Sequence, residues 1–561
     1  MAPTSVAPPN PYLDTPFTST TLLTVRTSKM KTMRNLSIKT GIYKQPRDTP
    51  VFCSFTGLES DEHDLTFHGG VDKAVHQYFP GHYPVWQAEY PESNAAFEIG
   101  AFGENLVSLC MNERNVCIGD VMSIGGDKGA LLQVSLPRQP CFKLNHRFNL
   151  KNFTPQTWKK SRTGWYYRVL REGYICAGDE IVLVERKHPG WTIERVQEYL
   201  HRDKGDLPML VELSQIEEFG TECKKAFNRL IAEATGEEKK KEPEIWTDFV
   251  LKEKTRQTPR ISSFVFQALG KDGEGEEGDE LDPGCFVRLK LPNGLIRSYS
   301  IISGGSQRFQ LGIAHEELSR GGSRYLHEEL KVGDTLQVGK ITEGVPFKFQ
   351  SSNHIFIAAG IGITAFLGHA DVFDQINYNY TLHYAVRSAD ETPFKPRLEQ
   401  MGSRAVVYDK TKGDRLDVRK ILRDRVWNSF VYVCGPPRLI DDVVRAAQEL
   451  GISADEIHYE AFQPNAGGDP FSVEVKMPVV DGKGKKGRLE VGEGETLLGV
   501  LRRAGWDVDS SCETGNCGTC RVKVCEGKVE HRGSSLTEED KEGGGMLSCV
   551  SRGLGHLVVE W

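Results

Sequence analysis

The 561-residue chain has no apolar run near the ~20 residues that a bilayer span needs. Its first residues, MAPTSVAPPNPYLDTPF, lack the charged-then-apolar pattern of a secretory leader. It has no surplus of positive charge: the net charge is -7 and the pI about 6.2, so the broad basic surface that nucleic acid requires is excluded. Cysteine is thin. Thirteen are present, an odd number, and nine are scattered, which is not a secreted disulfide framework. The expectation is a reducing intracellular compartment, the cytoplasm. Residues 1–36, rich in Ser, Thr and basic residues and poor in acids, read as a disordered tail, with a mitochondrial transit peptide as the alternative.

What is present is ordinary globular composition, 39% hydrophobic and 26% charged, over a length that suggests roughly three to four domains. The concentrated feature is SSCETGNCGTCRVKVCEG at 510–527. Cys512, Cys517 and Cys520 have C-x4-C-x2-C spacing, and Cys549 follows in MLSCVSR. Iron bridged by sulfide takes four soft thiolates, and this spacing is that of plant-type [2Fe–2S] sites rather than the paired short spacings of zinc. Gly515 and Gly518 allow the tight loop that turns amides toward the sulfurs. RVKVCEG has the alternation of a strand that places Cys525 on the face opposite Cys520, Val522 and Val524, so Cys525 is excluded as a ligand. With FSVEVKMPVV and GRLEVGEG as a hairpin and ETLLGVLRRAG as a short helix closed by Gly505, residues 471–561 resemble a plant-type ferredoxin domain of the β-grasp type.

Upstream, HIFIAAGIGITAFLGHA at 354–370 is a buried strand running into Gly360-Ile361-Gly362 and a helix, the arrangement that lets a pyrophosphate approach helix amides. YTLHYAVRS, AVVYD and FVYVCGPP are further apolar strands, and PRLIDDVVRAAQELG carries an apolar helical stripe ended by Gly451. A parallel α/β domain is expected. Before it lie the β-rich segments RISSFVFQAL, CFVRLKL, IRSYSIIS and RFQLGIAHEE. Arg297 suits a flavin phosphate; Ser298, Tyr299 and Ser300 offer hydroxyls and a stacking ring; Gly321, Gly322 and Ser323 open a helix as a second anion site. The acidic stretch KDGEGEEGDELD at 271–282 reads as a solvated loop.

The order of flavin barrel, nicotinamide domain and ferredoxin over about 246–561 resembles the phthalate dioxygenase reductase family, with GIGIT, HYAVRS, CGPP and HYEAF as shared strings. The resemblance implies FMN rather than FAD, held through Arg297, Tyr299, Ser300 and Ser323. It also implies a nicotinamide site lined by Gly360, Gly362, Thr364, Cys434, Gly435 and Pro436. Ala365 departs from the pattern, where proline is common. NADH and NADPH both stay open; Arg387 is a candidate contact.

Residues 37–187 carry GLESDEHDLTFHGGVDKAVHQY, AFGENL, VCIGDVMSIG and SLPRQPCFKL. His63 and His68 are five apart with no second pair nearby, so zinc is not the reading. Together the strings resemble a MOSC domain of the stand-alone bacterial type, followed by a small helical segment. The resemblance implies a molybdenum cofactor (molybdopterin) and reduction of N-hydroxylated compounds. It nominates Cys141 as both catalytic residue and metal ligand, a soft thiolate matched to a sulfur-rich cofactor, in competition with Cys53, Cys110, Cys117 and Cys176. Arg138, Lys73 and His68 are candidate cofactor or substrate contacts.

The expected fold is therefore multidomain, α+β and α/β. A tail at 1–36 precedes a β-rich MOSC domain at 37–187, helices at 188–231 and a linker at 232–245. A Greek-key flavin barrel at 246–345, a parallel nicotinamide domain at 346–465 and the ferredoxin at 471–561 follow. A hydride donor gives two electrons together and an iron–sulfur cluster takes one, so a flavin must stand between them. The expected function is a self-sufficient NAD(P)H-dependent reductase of small N-oxygenated compounds, with no nucleic acid or membrane partner. The alternatives are an electron-transfer component serving a separate oxygenase, and a sulfur carrier.

Overall fold

The computed structural model describes residues 15–64, 68–235, 245–269, 278–316, 321–345, 347–462, 467–476, 487–506, 508–510 and 512–560. The acidic stretch read as a solvated loop falls largely outside these, at 271–277.

The N-terminal domain is built on a nine-stranded sheet. Its centre is Val121–Ile124, Ala130–Pro137, Trp165–Arg171 and Val75–Gln77. The sheet corrects the expected tail at 1–36 over its described part, from residue 15 on; residues 1–14 lie outside the described residues. Ser19–Thr21 pairs with Glu180–Glu185, and Thr24–Thr27 pairs with Leu106–Val107 and Gln45–Pro46. The reason is burial: Leu22 and Val25 are fully enclosed in the core, and β-branched Thr and Val suit a pleated edge. The helical segment begins at Ile193–Gln197, capped by Thr192, and includes Leu207–Ser214, capped by Asp206. Its last helix, Thr221–Thr235, runs into the residues expected as linker, because Ala232, Glu233 and Ala234 are good helix formers.

The next domain is an antiparallel barrel. Ile296–Gly304, Arg308–Ala314, Ile261–Ala268, Thr247–Arg256, Thr335–Val338 and Cys285–Lys290 follow one another, and Cys285–Lys290 closes onto Ile296–Gly304. The nicotinamide-type domain has five parallel strands in the order Ala405–Asp409, Tyr380–Val386, Asn353–Ala359, Ser429–Cys434, Ile457–Glu460. Strand order reverses between Asn353–Ala359 and Ser429–Cys434, and a crevice opens at their C-terminal ends. The last domain pairs Phe471–Val475 antiparallel with Gly487–Val491 and parallel with His556–Glu560, and Leu497–Arg503 packs Leu497, Leu498 and Leu501 inward.

The domains are not beads on a string. Met33, Leu36, Ile38 and Phe142 of the first domain share one apolar core with Phe356, Phe373 and Tyr378 of the parallel domain. Ser37 donates from its amide and hydroxyl to Asn379 Oδ1 at 2.7 and 2.6 Å, and Asn145 donates to Gln350 O at 3.0 Å. These contacts gather where the parallel strands begin. The ferredoxin-like domain touches the other end, where Asn516 donates to Ala461 O at 3.0 Å just past the last strand.

Candidate functional sites

Three elements converge on a cleft of about 1870 Å³. The barrel wall supplies Arg297, Ser298, Tyr299, Ser300, Gly322 and Ser323. The parallel domain supplies Gly360, Gly362, Thr364, Gly435 and Pro436, and Arg387 also lines the space. The third wall is the ferredoxin-like domain, through Thr514 of the cysteine loop and Val550 next to Cys549. Two expected residues stand behind this lining: Gly321 caps the short helix, and Cys434 is fully buried, its thiol pushed well up by desolvation. The walls fit a flavin and a nicotinamide. A methyl group on Gly322 would meet Arg297 Cγ and Nε at 3.0 Å, so the glycine lets the guanidinium lie against the turn that opens the helix. Gly362 is pressed against the carbonyl of Cys434, keeping two glycine-bearing turns close enough for a pyrophosphate to approach both.

Sequence reasoning missed one group here. Glu460 pairs in register with Cys434, is buried, and leaves Oε2 without a hydrogen-bond partner. Burial pushes its carboxyl up to about 8. The string HYEAF contained it, but only the parallel pairing reveals that it lies beside Cys434.

Among the described residues no three metal-ligating side chains crowd one point. The four expected thiols come as two pairs. The amide of Cys512 donates to Cys517 Sγ at 3.4 Å, and Cys520 Sγ lies 3.1 Å from Cys549 Sγ. A two-iron cluster with four protein thiolates calls for two sulfurs on each iron. Glu513, Gly515 and Gly518 all take left-handed φ, and the amides of Thr514 and Asn516 turn toward Cys512 Sγ at 3.5 and 3.3 Å. A hydrogen bond with Cys512 pulls the Cys517 thiol down to about 5, and Cys549 pulls Cys520 down likewise. Cys525 lies exposed on the strand Arg521–Glu526, away from the four.

The second cavity lies in the first domain and is small, about 50 Å³, room for the reactive end of a ligand. It gathers His68 and Lys73 from one string of sequence and Arg138 and Cys141 from another, about seventy residues apart. Cys141 Sγ is 3.8 Å from His68 Nε2, and His68 Nδ1 is 3.1 Å from the Tyr166 hydroxyl. Lys143 pairs with Asp64 at 2.6 Å, Lys73 pairs with Glu222, and Arg138 donates to Phe102 O at 2.5 Å. Burial, reinforced by Lys143, Arg138 and Lys73, holds His68 well below its ordinary value, so it is neutral at pH 7. Burial pushes Tyr166 up to about 12. The rival cysteines do not line this cavity, and desolvation pushes Cys53 to about 12 and Cys117 to about 11. Tyr166 was missed by the sequence reading because no motif string carries it, and Lys143, two residues after Cys141 in SLPRQPCFKL, was not singled out.

The donor set fits a molybdenum cofactor. A soft thiol shares the cavity with four cationic side chains, Lys44, Lys73, Arg138 and Lys143, and Arg138 Nε is buried with no partner, a donor free for a phosphate on a sulfur-rich ligand.

Comparison with known proteins supplies two family matches and a set of relatives. Residues 64–182 match the family described as MOSC domain, and residues 480–552 match the 2Fe-2S iron-sulfur cluster binding domain. A protein called "Reductase" from Gibberella moniliformis is 37% identical over 554 residues, covering 96% of this chain and 95% of its own. This chain belongs to that reductase's family. It joins a MOSC domain to a reductase module that carries a 2Fe-2S domain, and it is an oxidoreductase of the flavin and [2Fe–2S] type. The heme-dependent oxidative N-demethylase beta subunit of Ectopseudomonas mendocina is 35% identical over 306 residues, covering 54% of this chain and 94% of that one. The solved phthalate dioxygenase reductase is 26% identical, covers 56% of this chain and 98% of its own, and has a TM-score of 0.41. Among the described residues no helix is long and apolar enough to cross a membrane.

Proposed function

We propose that this MOSC–reductase uses NADH or NADPH to reduce a small N-hydroxylated compound at Cys141. Two electrons and two protons enter, the N–O bond breaks, the nitrogen gains a hydrogen in place of the hydroxyl, and the oxygen leaves as water. When bound, FMN would supply the change from two-electron to one-electron chemistry, the [2Fe–2S] cluster single-electron transfer, and a molybdenum cofactor two-electron reduction. The chain's residues have separate tasks. Arg297 and Ser323 hold the flavin phosphate, and the turns at Gly360 and Gly435 hold the nicotinamide pyrophosphate. Cys512, Cys517, Cys520 and Cys549 hold the cluster. Cys141 holds the metal, with Arg138 and Lys73 placed for its anionic parts. His68 and Tyr166 form a short proton path ending beside Cys141 Sγ, with Tyr166 protonated at neutral pH.

The observation that carries the reading is the single cavity that brings Cys141, His68, Lys73 and Arg138 together. The test is Cys141→Ser in full-length protein from cells that make the pterin. Hydroxylamine-type substrates should go unreduced and molybdenum content should fall, while NADH-driven ferricyanide reduction continues. Full substrate turnover by the variant would overturn the proposal.

One observation favours a second reading, in which electrons leave for a separate oxygenase. The cysteine loop faces the C-terminal ends of the parallel strands, whereas the Cys141 helix abuts their N-terminal ends. Seven-residue strands place these ends roughly 20 Å apart. Delivery to Cys141 therefore requires the ferredoxin domain to leave the cleft, and an external acceptor could meet it there. Under this reading Cys141→Ser leaves the reductase's support of an oxygenase unchanged.

A further inference from the structure

We infer that Arg288 of the flavin barrel is the positioning residue that seats the [2Fe–2S] loop at the cleft and raises the cluster's potential. The inference rests on the flavin-to-cluster part of the reading above. Arg288 sits in Cys285–Lys290 between the buried Val287 and Leu289, so its backbone is fixed by the barrel core. Its side chain crosses the domain boundary, and Nη1 donates to Ser510 O at 3.0 Å, two residues before Cys512. The guanidinium carbon lies 5.6 Å from the ring centre of Trp246, and Lys290 Nζ lies 5.5 Å from the same ring. The indole is a shelf that aims the charge at the loop, since a guanidinium is drawn to the face of an aromatic ring.

The loop is gripped from both sides. Arg502 of the ferredoxin domain donates to Glu513 at 2.7 Å and to the Ser510 hydroxyl. Arg288 reaches the same segment from the barrel, within electrostatic range of Glu513 and Cys517. Asn516 anchors the far side of the loop to Ala461. Arg288 is thus the barrel's grip on a segment that begins the cluster-binding loop. A fixed cation beside the cluster favours the reduced, more negative form, the sense in which charge near the ligands tunes a metal centre. The planar fork and the Trp246 shelf make the contact specific to arginine.

The test uses the full-length holoprotein. In Arg288→Ala, NADH-driven ferricyanide reduction and iron content should match wild type. Bleaching of the cluster by NADH in stopped flow should slow at least tenfold. The flavin–cluster equilibrium should shift about tenfold toward oxidised cluster, about 59 mV for a one-electron couple. Arg288→Lys should restore the potential but only part of the rate, since it returns the charge without the fork. Wild-type bleaching and potential in the alanine variant would overturn the inference, as would a loss of iron in both variants, which would make Arg288 merely structural. Absence of ferricyanide turnover in the wild type would instead fail the flavin reading of the cleft, and this inference with it.

Discussion

Asn377 of the parallel domain donates a 2.8 Å hydrogen bond to Asp64 Oδ2 of the MOSC domain, the same oxygen that Lys143 holds at 2.6 Å. Asn377 takes left-handed φ, 52°, and also donates to Lys39 O at 2.9 Å. Asp64 and Lys143 line the Cys141 cavity. The wall of the MOSC site is therefore braced by the reductase module, and the two halves of the fusion are coupled through one carboxylate.

That brace has a measurable strength. Asn377→Asp sets a second carboxylate against Asp64 and should destabilise the MOSC–reductase interface by about 1–3 kcal/mol. Calorimetry should show the first unfolding transition at lower temperature, with NADH–ferricyanide turnover retained. Asn377→Gly keeps the left-handed backbone and deletes only the hydrogen bonds, so its loss should be smaller. Equal loss in the two variants would argue that like-charge repulsion plays no part.

Gly362 makes the tightest backbone approach in the nicotinamide half. A methyl group there would sit 2.3 Å from Cys434 O and 2.6 Å from its carbonyl carbon. Both neighbours are backbone and cannot swing aside, so Gly362→Ala must part the two turns. The expected outcome is a KM for NADH raised tenfold or more, with iron content unchanged. Steady-state dye reduction against NADH concentration checks it.

Glu460 predicts a pH dependence of stability. Its carboxyl is raised by burial from 4.5 to about 8 in the folded protein. Between these values the folded state holds a proton that the unfolded state has released, so stability falls as pH rises from about 4.5 and levels off above about 8. At 1.36 kcal/mol per pH unit the loss is at most about 5 kcal/mol. Glu460→Gln should flatten this slope. Denaturant midpoints at pH 5, 7 and 9 measure it, and an unchanged slope in the variant would assign the dependence elsewhere.

What was legible in the sequence is what lies close together along it. Cys512, Cys517 and Cys520 hold one loop, and the Gly360 and Gly435 turns each follow a short apolar strand, so spacing alone exposed them. The Cys141 cavity was half legible. His68, Lys73 and Arg138 sit in recognisable strings, but Tyr166 reaches His68 from a strand nearly a hundred residues away, and Asn377 comes from another domain. Residues 19–27 read as tail because polar Thr and Ser dominate, yet the buried side chains of Leu22, Val25 and Thr27 hold this segment against the sheet. The placement of the cysteine loop and Cys141 at opposite ends of one sheet has no trace in local sequence, because it depends on which strand ends each domain packs against.

The two thiol pairs set the four proposed ligands apart from Cys525, which lies on the strand that follows Cys520. Cys549 is buried against Cys520, whereas Cys525 is exposed and points away from the loop. Cys549→Ser replaces a soft thiolate with a hard, weakly acidic hydroxyl on one iron and should remove most of the cluster. Visible absorption and iron content should fall together, and cluster-dependent electron transfer should fall at least tenfold, while NADH–ferricyanide turnover through the flavin persists. Cys525→Ser should leave absorption, iron content and all turnover at wild-type levels. Loss of iron in Cys525→Ser with retention in Cys549→Ser would reverse the assignment, and it would require Arg521–Glu526 to turn its outer face toward the loop, breaking its pairing with Gly545–Leu547 and His556–Glu560.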